Sequence, residues 1–257
     1  MSPQSPARAP VPGARPVGAR DEGEAAQQLR DMFGRIAPSY DFLNHLLSFS
    51  LDRVWRCRAA ERFGHILARA DARVLDLCCG TGDLTLALGR AGQATVFGSD
   101  FAHPMLVRAN QKAERAAAPA GVYAEADALQ LPFADSNFDL ATIAFGFRNL
   151  ANYERGLREV YRVLRRGGEV GILEFAEPRG AVWGNLYRFY FTKIVPRLGR
   201  AISGDAVAYS YLPDSVGKFP SAEELAAMMS RVGFVAVRYE LWTFSSVALH
   251  TDRKSVV

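Results

Sequence analysis

Carboxylates crowd a glycine-bearing turn between residues 73 and 85, Arg-Val-Leu-Asp-Leu-Cys-Cys-Gly-Thr-Gly-Asp-Leu-Thr, and Asp100 closes the next apolar run, Thr-Val-Phe-Gly-Ser-Asp. Gly80 and Gly82 carry no Cβ, so the backbone can turn sharply there and lie against a ligand. Asp76 before the turn and Asp83 after it surround the loop with negative charge. Such charge repels a pyrophosphate and suits a ligand bearing an ammonium and a sulfonium. A dinucleotide fingerprint also wants a third glycine, where Thr85 stands instead. The pattern favours S-adenosylmethionine over NAD, and a glycine loop alone is equally a plain strand-to-helix turn.

Other reactive groups do not gather. Cys57, Cys78 and Cys79 include an adjacent pair that suits neither a disulfide framework nor a zinc site, and a reducing cytosol fits them. His45, His65, His103 and His250 show no metal-ligand spacing, so no metal is expected. A formal charge of +4 is too small and too evenly spread to argue for nucleic acid. No apolar run approaches the roughly 20 residues that cross a bilayer, and no signal-peptide core follows Met1, so a soluble or peripheral protein is expected.

The turn needs elements to position it. With 257 residues, 49% of them apolar, one substantial core is expected. After the first strand, loop and helix, the pattern predicts strands at 95–99, 121–125, 138–145 and 169–175. Helices are predicted at 104–117 and 153–164, the latter stopped by Gly167-Gly168. Two closing strands, 235–239 and 245–250, complete the count. The fold class is α/β, a doubly wound, mostly parallel seven-stranded sheet. Ligands in such sheets lie outside the carboxyl ends of the strands, where Gly80, Asp100, Asp127 and Gly146 fall.

Around this unit the composition changes three times. Residues 1–23, with prolines at 3, 6, 10, 12 and 16, bury too little to be ordered and read as a disordered tail, ahead of a targeting peptide. Residues 24–257 form one domain. Within it, 24–70 holds cap helices over the ligand edge: Leu29, Met32, Phe33 and Ile36 mark the first, and 51–70 the second, whose Arg53, Arg56, Arg58 and Arg62 read as a solvated face. The third change is a helical insertion at 179–219, before the last helix. From 179 to 204 it has five basic residues and no acid, among Trp183, Tyr187, Phe189, Tyr190 and Phe191. That is either a helix with an aromatic core stripe or an interfacial helix that holds anionic lipid headgroups.

With these residues in place the chain resembles a class I methyltransferase, more narrowly the ubiquinone/menaquinone biosynthesis C-methyltransferases of the UbiE, Coq5 and MenG type. The resemblance covers residues 31–250. Its blocks are Met32-Phe33 with Ile36-Ala37-Pro38-Ser39-Tyr40-Asp41, the 76–85 loop, Ala126-Asp127-Ala128 with Leu131-Pro132-Phe133, Phe145-Gly146-Phe147-Arg148-Asn149, Tyr161-Arg162-Val163-Leu164, Leu173-Glu174-Phe175, and Asp205 with Tyr209, Tyr211-Leu212 and Ser215. The glycine loop names the superfamily; the Arg148-Asn149 and 205–215 blocks name the family.

The resemblance implies S-adenosylmethionine as cofactor, with Asp76, Gly80, Thr81 and Gly82 about its methionine part, Asp100 on the ribose, and Asp127 with Ala128 on the adenine edge. Taken singly, the aspartates are also ordinary turn caps. It implies methylation of a ring carbon of a polyprenylated quinol at the inner face of the membrane, by a cytoplasmic protein in peripheral contact with it, as a homodimer or within a quinone-synthesis complex. Ionising a phenol of pKa about 10 at neutral pH costs about 4 kcal/mol. A permanently charged Arg148 could stabilise that phenolate, while Asp205, Tyr40, Asp41 and Tyr209 are unranked candidates for proton acceptance or ring orientation. Asp41, Asn149 and Tyr209 are expected to bind substrate. Cys78 replaces a glycine common in the superfamily, which should be harmless, and Ala144 replaces a serine that contacts cofactor in some relatives. The alternatives are an N- or O-methyltransferase of a soluble metabolite and a non-catalytic S-adenosylmethionine-binding subunit.

Overall fold

The computed structural model describes residues 13–116, 122–176, 178, 181–195, 197 and 206–256. Seven strands form one sheet in the order β3-β2-β1-β4-β5-β7-β6: β1 Arg73–Leu77, β2 Thr95–Asp100, β3 Val122–Glu125, β4 Phe138–Ala144, β5 Leu164–Phe175, β6 Arg238–Trp242 and β7 Val247–Arg253. The first five are parallel, and β7 inserts antiparallel between β5 and β6. Strand order reverses between β1 and β4, so their carboxyl ends open a crevice. The central strands are buried on both faces and read as near-continuous apolar runs: Val74, Leu75, Leu77, Leu140, Ala141 and Ile143 are all buried.

The helices are α1 Glu22–Ile36, α2 Tyr40–Leu47, α3 Leu51–Arg62, α4 Gly64–Leu67, α5 Asp83–Arg90, α6 His103–Arg115, α7 Tyr153–Val163, α8 Ala181–Phe189, α9 Ala206–Lys218 and α10 Ala222–Val232. A π-helical turn, Tyr190–Ile194, follows α8. Local chemistry sets several starts. Asp21 caps α1, Asn152 caps α7, and Ser221 with Glu224 forms a reciprocal capping box on α10.

Four expectations need correcting. Gly167-Gly168 does not stop α7, which ends at Val163 and runs directly into β5. The glycines sit inside β5, where the register with β4 shifts between Phe138 and Leu140. A Cβ on Gly168 would lie 3.1 Å from the Phe138 carbonyl oxygen, so the bulge needs the glycine. The expected 51–70 helix breaks at Phe63, whose ring fills the space above Gly171, 2.6 Å from where a Cβ would be. The block at Tyr40, expected to lie between helices, starts α2. Finally, the tail is packed from Gly13: Ala14 N–H donates to Leu150 O (2.7 Å) and Arg15 Nη1 to Ala151 O (2.7 Å). Composition misses this because the docking is onto backbone carbonyls and needs a small residue at Gly13, where a Cβ would lie 2.1 Å from Ala151 O. Residues 1–12 lie outside the described residues.

Candidate active site

The crevice at the β1/β4 reversal is built by left-handed backbone. Gly80 (φ +55°) and Gly82 (φ +83°) carry the loop from β1 into α5, and at Gly82 a Cβ would come within 2.9 Å of the Tyr123 hydroxyl. Cys78 also adopts a left-handed conformation (φ +53°), which costs a non-glycine residue on the order of 1–2 kcal/mol. Its replacement of glycine is therefore not strain-free. Gly146 accommodates it, since a Cβ there would lie 2.3 Å from Cys78 Cβ.

Two buried carboxylates face this loop. Asp76 accepts hydrogen bonds from Thr85 Oγ1 (2.6 Å) and Thr142 Oγ1 (3.1 Å), so Thr85, which stands at the missing third glycine, orients the aspartate. Burial pushes the Asp76 pKa up to about 7. Asp100 accepts from Gly80 N–H and Ala102 N–H, both at 2.9 Å, and burial raises its pKa to about 6. Each Asp100 oxygen keeps a second lone pair for an outside donor. Asp127 accepts from Leu129 N–H at 2.8 Å and, with Ala128, lines the same cleft. Ser99 Oγ, buried and without a partner, belongs to a cleft-lining residue as well. Among the described residues, two buried carboxylates in no salt bridge, an orphaned hydroxyl and a loop that lacks Cβ atoms at Gly80 and Gly82 fit a cofactor that brings an ammonium and a ribose diol.

Next to the cleft lies a cavity of about 470 Å³ with apolar walls, among them Leu47, Trp55, Phe145, Phe175, Val195 and Leu212. Tyr40 and Phe145 line both spaces. Burial raises the Tyr40 pKa against the opposing pull of Arg148 and Arg56. An exposed rim surrounds the cavity: Phe49, 76% exposed, Leu51, Trp183, Leu186, Phe189 and Phe244, with Trp183 and Phe244 stacked at 4.6 Å.

Arg148 lines the cavity but is not a free cation. It is buried, its Nη1 contacts both Glu174 oxygens at 3.1 Å and the Phe145 carbonyl, and its guanidinium lies 5.2 Å from the Phe175 ring centre. Burial opposes its charge, yet Glu174, Tyr40 and Tyr211 hold its pKa above the ordinary value. The 3₁₀ turn Phe147–Asn149 turns successive side chains about 120° apart. Asn149 consequently lines the cofactor cleft, not the cavity, and accepts from Tyr211 OH at 3.1 Å. Asp41, also expected on the substrate, instead pairs with Lys112 (2.6 Å) and accepts from Thr81 Oγ1. Tyr209 falls in α9, and Asp205 lies outside the described residues.

Three contributors were not anticipated. Glu174 follows the apolar run 170–173 near the end of β5, and an acid directly after such a run was the available signal. Lys112 on α6 reaches Asp41, Asp83 (2.6 Å) and Thr81 Oγ1 (3.0 Å), tying α2 and α5 together. Arg56, read as solvated, is buried, pairs with Asp52 and with Asp83 (3.8 Å), and lies 5.4 Å from the Phe145 ring centre. Its neighbour Trp55 is the signal that this turn of α3 faces inward.

A sequence model of the ubiE/COQ5 methyltransferase family matches residues 21–254. A demethylmenaquinone methyltransferase of Thermus thermophilus is 53% identical over 220 residues, 85% of this chain and 98% of that protein. The ubiquinone/menaquinone biosynthesis C-methyltransferase UbiE of Geotalea daltonii is 39% identical over 234 residues, 90% and 98% of the two chains. Among solved structures, a Thermotoga maritima S-adenosylmethionine-dependent methyltransferase, described as a possible histamine N-methyltransferase, superposes with a TM-score of 0.59 at 18% identity, covering 88% of this chain and 99% of that one. Haemonchus contortus phosphoethanolamine N-methyltransferase 2, in complex with S-adenosyl-L-methionine, gives 0.58 at 15% identity, covering 78% and 52%. These two likenesses establish the fold, and the family carries S-adenosylmethionine as its cofactor. From α1 to β7, the chain belongs to the ubiE/COQ5 methyltransferase family.

Proposed function

We propose that this chain methylates a ring carbon of a polyprenylated quinol, of the demethylmenaquinol or methoxybenzoquinol type. One observation carries the reading. A cavity of about 470 Å³, apolar in its walls and carrying guanidinium groups, adjoins the cofactor cleft. A soluble amine or a small polar metabolite has no use for such walls, whereas an isoprenoid quinol gains roughly 25 cal/mol for each Å² of apolar surface it buries there.

When bound, S-adenosylmethionine would supply an electrophilic methyl group to the ring carbon and leave as the neutral thioether, the displaced ring proton passing to solvent water. The chain's own residues do the rest. Gly80 and Gly82 allow close approach of the loop, Asp100 offers acceptors to a diol, and Asp76 offers negative charge to an ammonium. Apolar walls exclude water from a developing phenolate, so nearby guanidinium donors act at full strength.

The exposed rim and the basic insertion favour peripheral contact with an anionic membrane surface, from which the isoprenoid tail enters. Among the described residues no helix is long and apolar enough to cross a membrane. The test is methyl transfer to a demethylated quinol extract, beside analysis of the quinones that accumulate in a deletion strain. Methylation is expected in the first and an unmethylated quinol in the second. Transfer to a soluble amine, with none to the quinol, would overturn the reading.

A further inference from the structure

Two arginines line the apolar cavity, and they stand differently toward the cofactor. Arg148 lines the cavity alone, whereas Arg56 lines both the cavity and the small space bounded by Asp76, Gly80, Thr81 and Asp83. Each is anchored through Nη1, Arg148 to Glu174 and Arg56 to Asp52 and Asp83. Among the described residues Nη2 of neither arginine makes a hydrogen bond, so each keeps a donor in hand. Between them lie Phe145 and Phe175, with ring centres 4.8 Å apart, and each guanidinium sits against one of these rings.

This inference rests on the quinol reading and adds a residue to it. The acceptor carbon must lie where the cavity meets the cofactor space. The hydroxyl one carbon away lies at that junction too, while the hydroxyl across the ring lies deeper in the cavity. We propose that Arg56 is the catalytic guanidinium that stabilises charge on the hydroxyl ortho to the acceptor carbon, and that Arg148, held by Glu174, binds the hydroxyl across the ring. The site then reads a para-diol with two donors, one of which senses charge as it develops. A guanidinium is permanently protonated, so Arg56 stabilises the phenolate without taking its proton, which passes to solvent water. The arrangement also explains why α3 carries a buried cation with two acids: Asp52 and Asp83 fix the group that would otherwise leave for water.

The experiment uses the full-length chain and two probes, a prenylated naphthalene para-diol and the prenylated naphthol that keeps only the hydroxyl ortho to the acceptor carbon. Arg56→Gln should slow both by about a hundredfold in kcat, the loss typical of one transition-state donor. Arg148→Gln should raise KM for the diol by more than it raises KM for the naphthol. Without any methyl donor, absorbance titration of the bound naphthol reads its ionisation directly. Its midpoint should rise by about one pH unit or more in Arg56→Gln, about a tenfold change, and by less in Arg148→Gln. Arg56→Lys keeps the charge beside Asp52 and Asp83 and should recover part of the shift, so it carries the test if the Gln variant does not fold. A midpoint that moves with Arg148 and not with Arg56, or with neither, overturns the assignment. A parent that ionises the bound naphthol but methylates neither probe would sink the quinol reading and leave Arg56's role to the titration.

Discussion

Asp76 and Asp100 are held in the crevice at pKa values of about 7 and about 6, both above the ordinary carboxylate range because burial penalises charge. The folded chain thus binds these protons more tightly than the unfolded chain does. Their contribution to stability is fully present below about pH 4 and is lost as pH rises through 6 and 7. A cationic cofactor works the other way, since it favours the ionised carboxylates. Affinity for S-adenosylmethionine should therefore climb between about pH 5.5 and 8, with proton release on binding. Calorimetry in two buffers of different ionisation enthalpy measures both, and an affinity flat across that window would take Asp76 out of the site. Asp100→Ala removes acceptors worth roughly 1.5 to 3 kcal/mol each, so cofactor affinity should fall at least tenfold, and an unchanged dissociation constant would end the ribose assignment. Both aspartates were legible, Asp76 because it precedes a glycine loop and Asp100 because it closes the next apolar run. Arg56 was not: its burial depends on which side of α3 meets the sheet, and an arginine gives no hint of that by itself.

At the scale of elements, Lys112 clips α2 of the cap to the nucleotide-binding half, beside the hydrogen bond from Thr81 to Asp41. Lys112 on α6 meets Asp41 of α2 and Asp83 of α5 at 2.6 Å each. Lys112→Met should leave those carboxylates facing each other, loosen α2 and raise the KM for cofactor. Amide hydrogen exchange should quicken in α2 while β1 and β4 keep their protection, because the central strands do not depend on the clip. Equal protection in parent and variant would reduce Lys112 to a surface residue. The insertion makes a separate claim. Liposome binding should weaken with salt and with Arg188, Lys193 and Arg197 all changed to Gln. A triple variant that floats with anionic liposomes like the parent would move the contact to Phe49, Trp183 and Phe244, which are apolar and exposed. Helix α2 was missed in the sequence because its eight residues are too few to show a period, and Gly167-Gly168 misled because a glycine pair after a helix is commoner as a stop than as a bulge inside a twelve-residue strand.

For the whole molecule, the alternation of short apolar runs with helical stretches was enough to place five parallel strands and to expect a closing hairpin, whose first strand, Arg238–Trp242, lies three residues beyond the expected 235–239, since period and chain length leave few ways to bury such runs. What it could not supply was the meeting of distant parts. Tyr40, Arg56, Phe145 and Phe244 come from four regions of the chain and share one cavity. The rim of that cavity has a kinetic meaning. If Phe49, Trp183 and Phe244 rest in the headgroup layer, the enzyme samples quinol from a plane, and the concentration that governs turnover is the mole fraction in the bilayer. Diluting the quinol with inert phospholipid, at constant total quinol in the tube, should then lower the rate in proportion. An enzyme that drew its substrate from water would ignore the added lipid surface, and would need far less apolar rim than this one exposes.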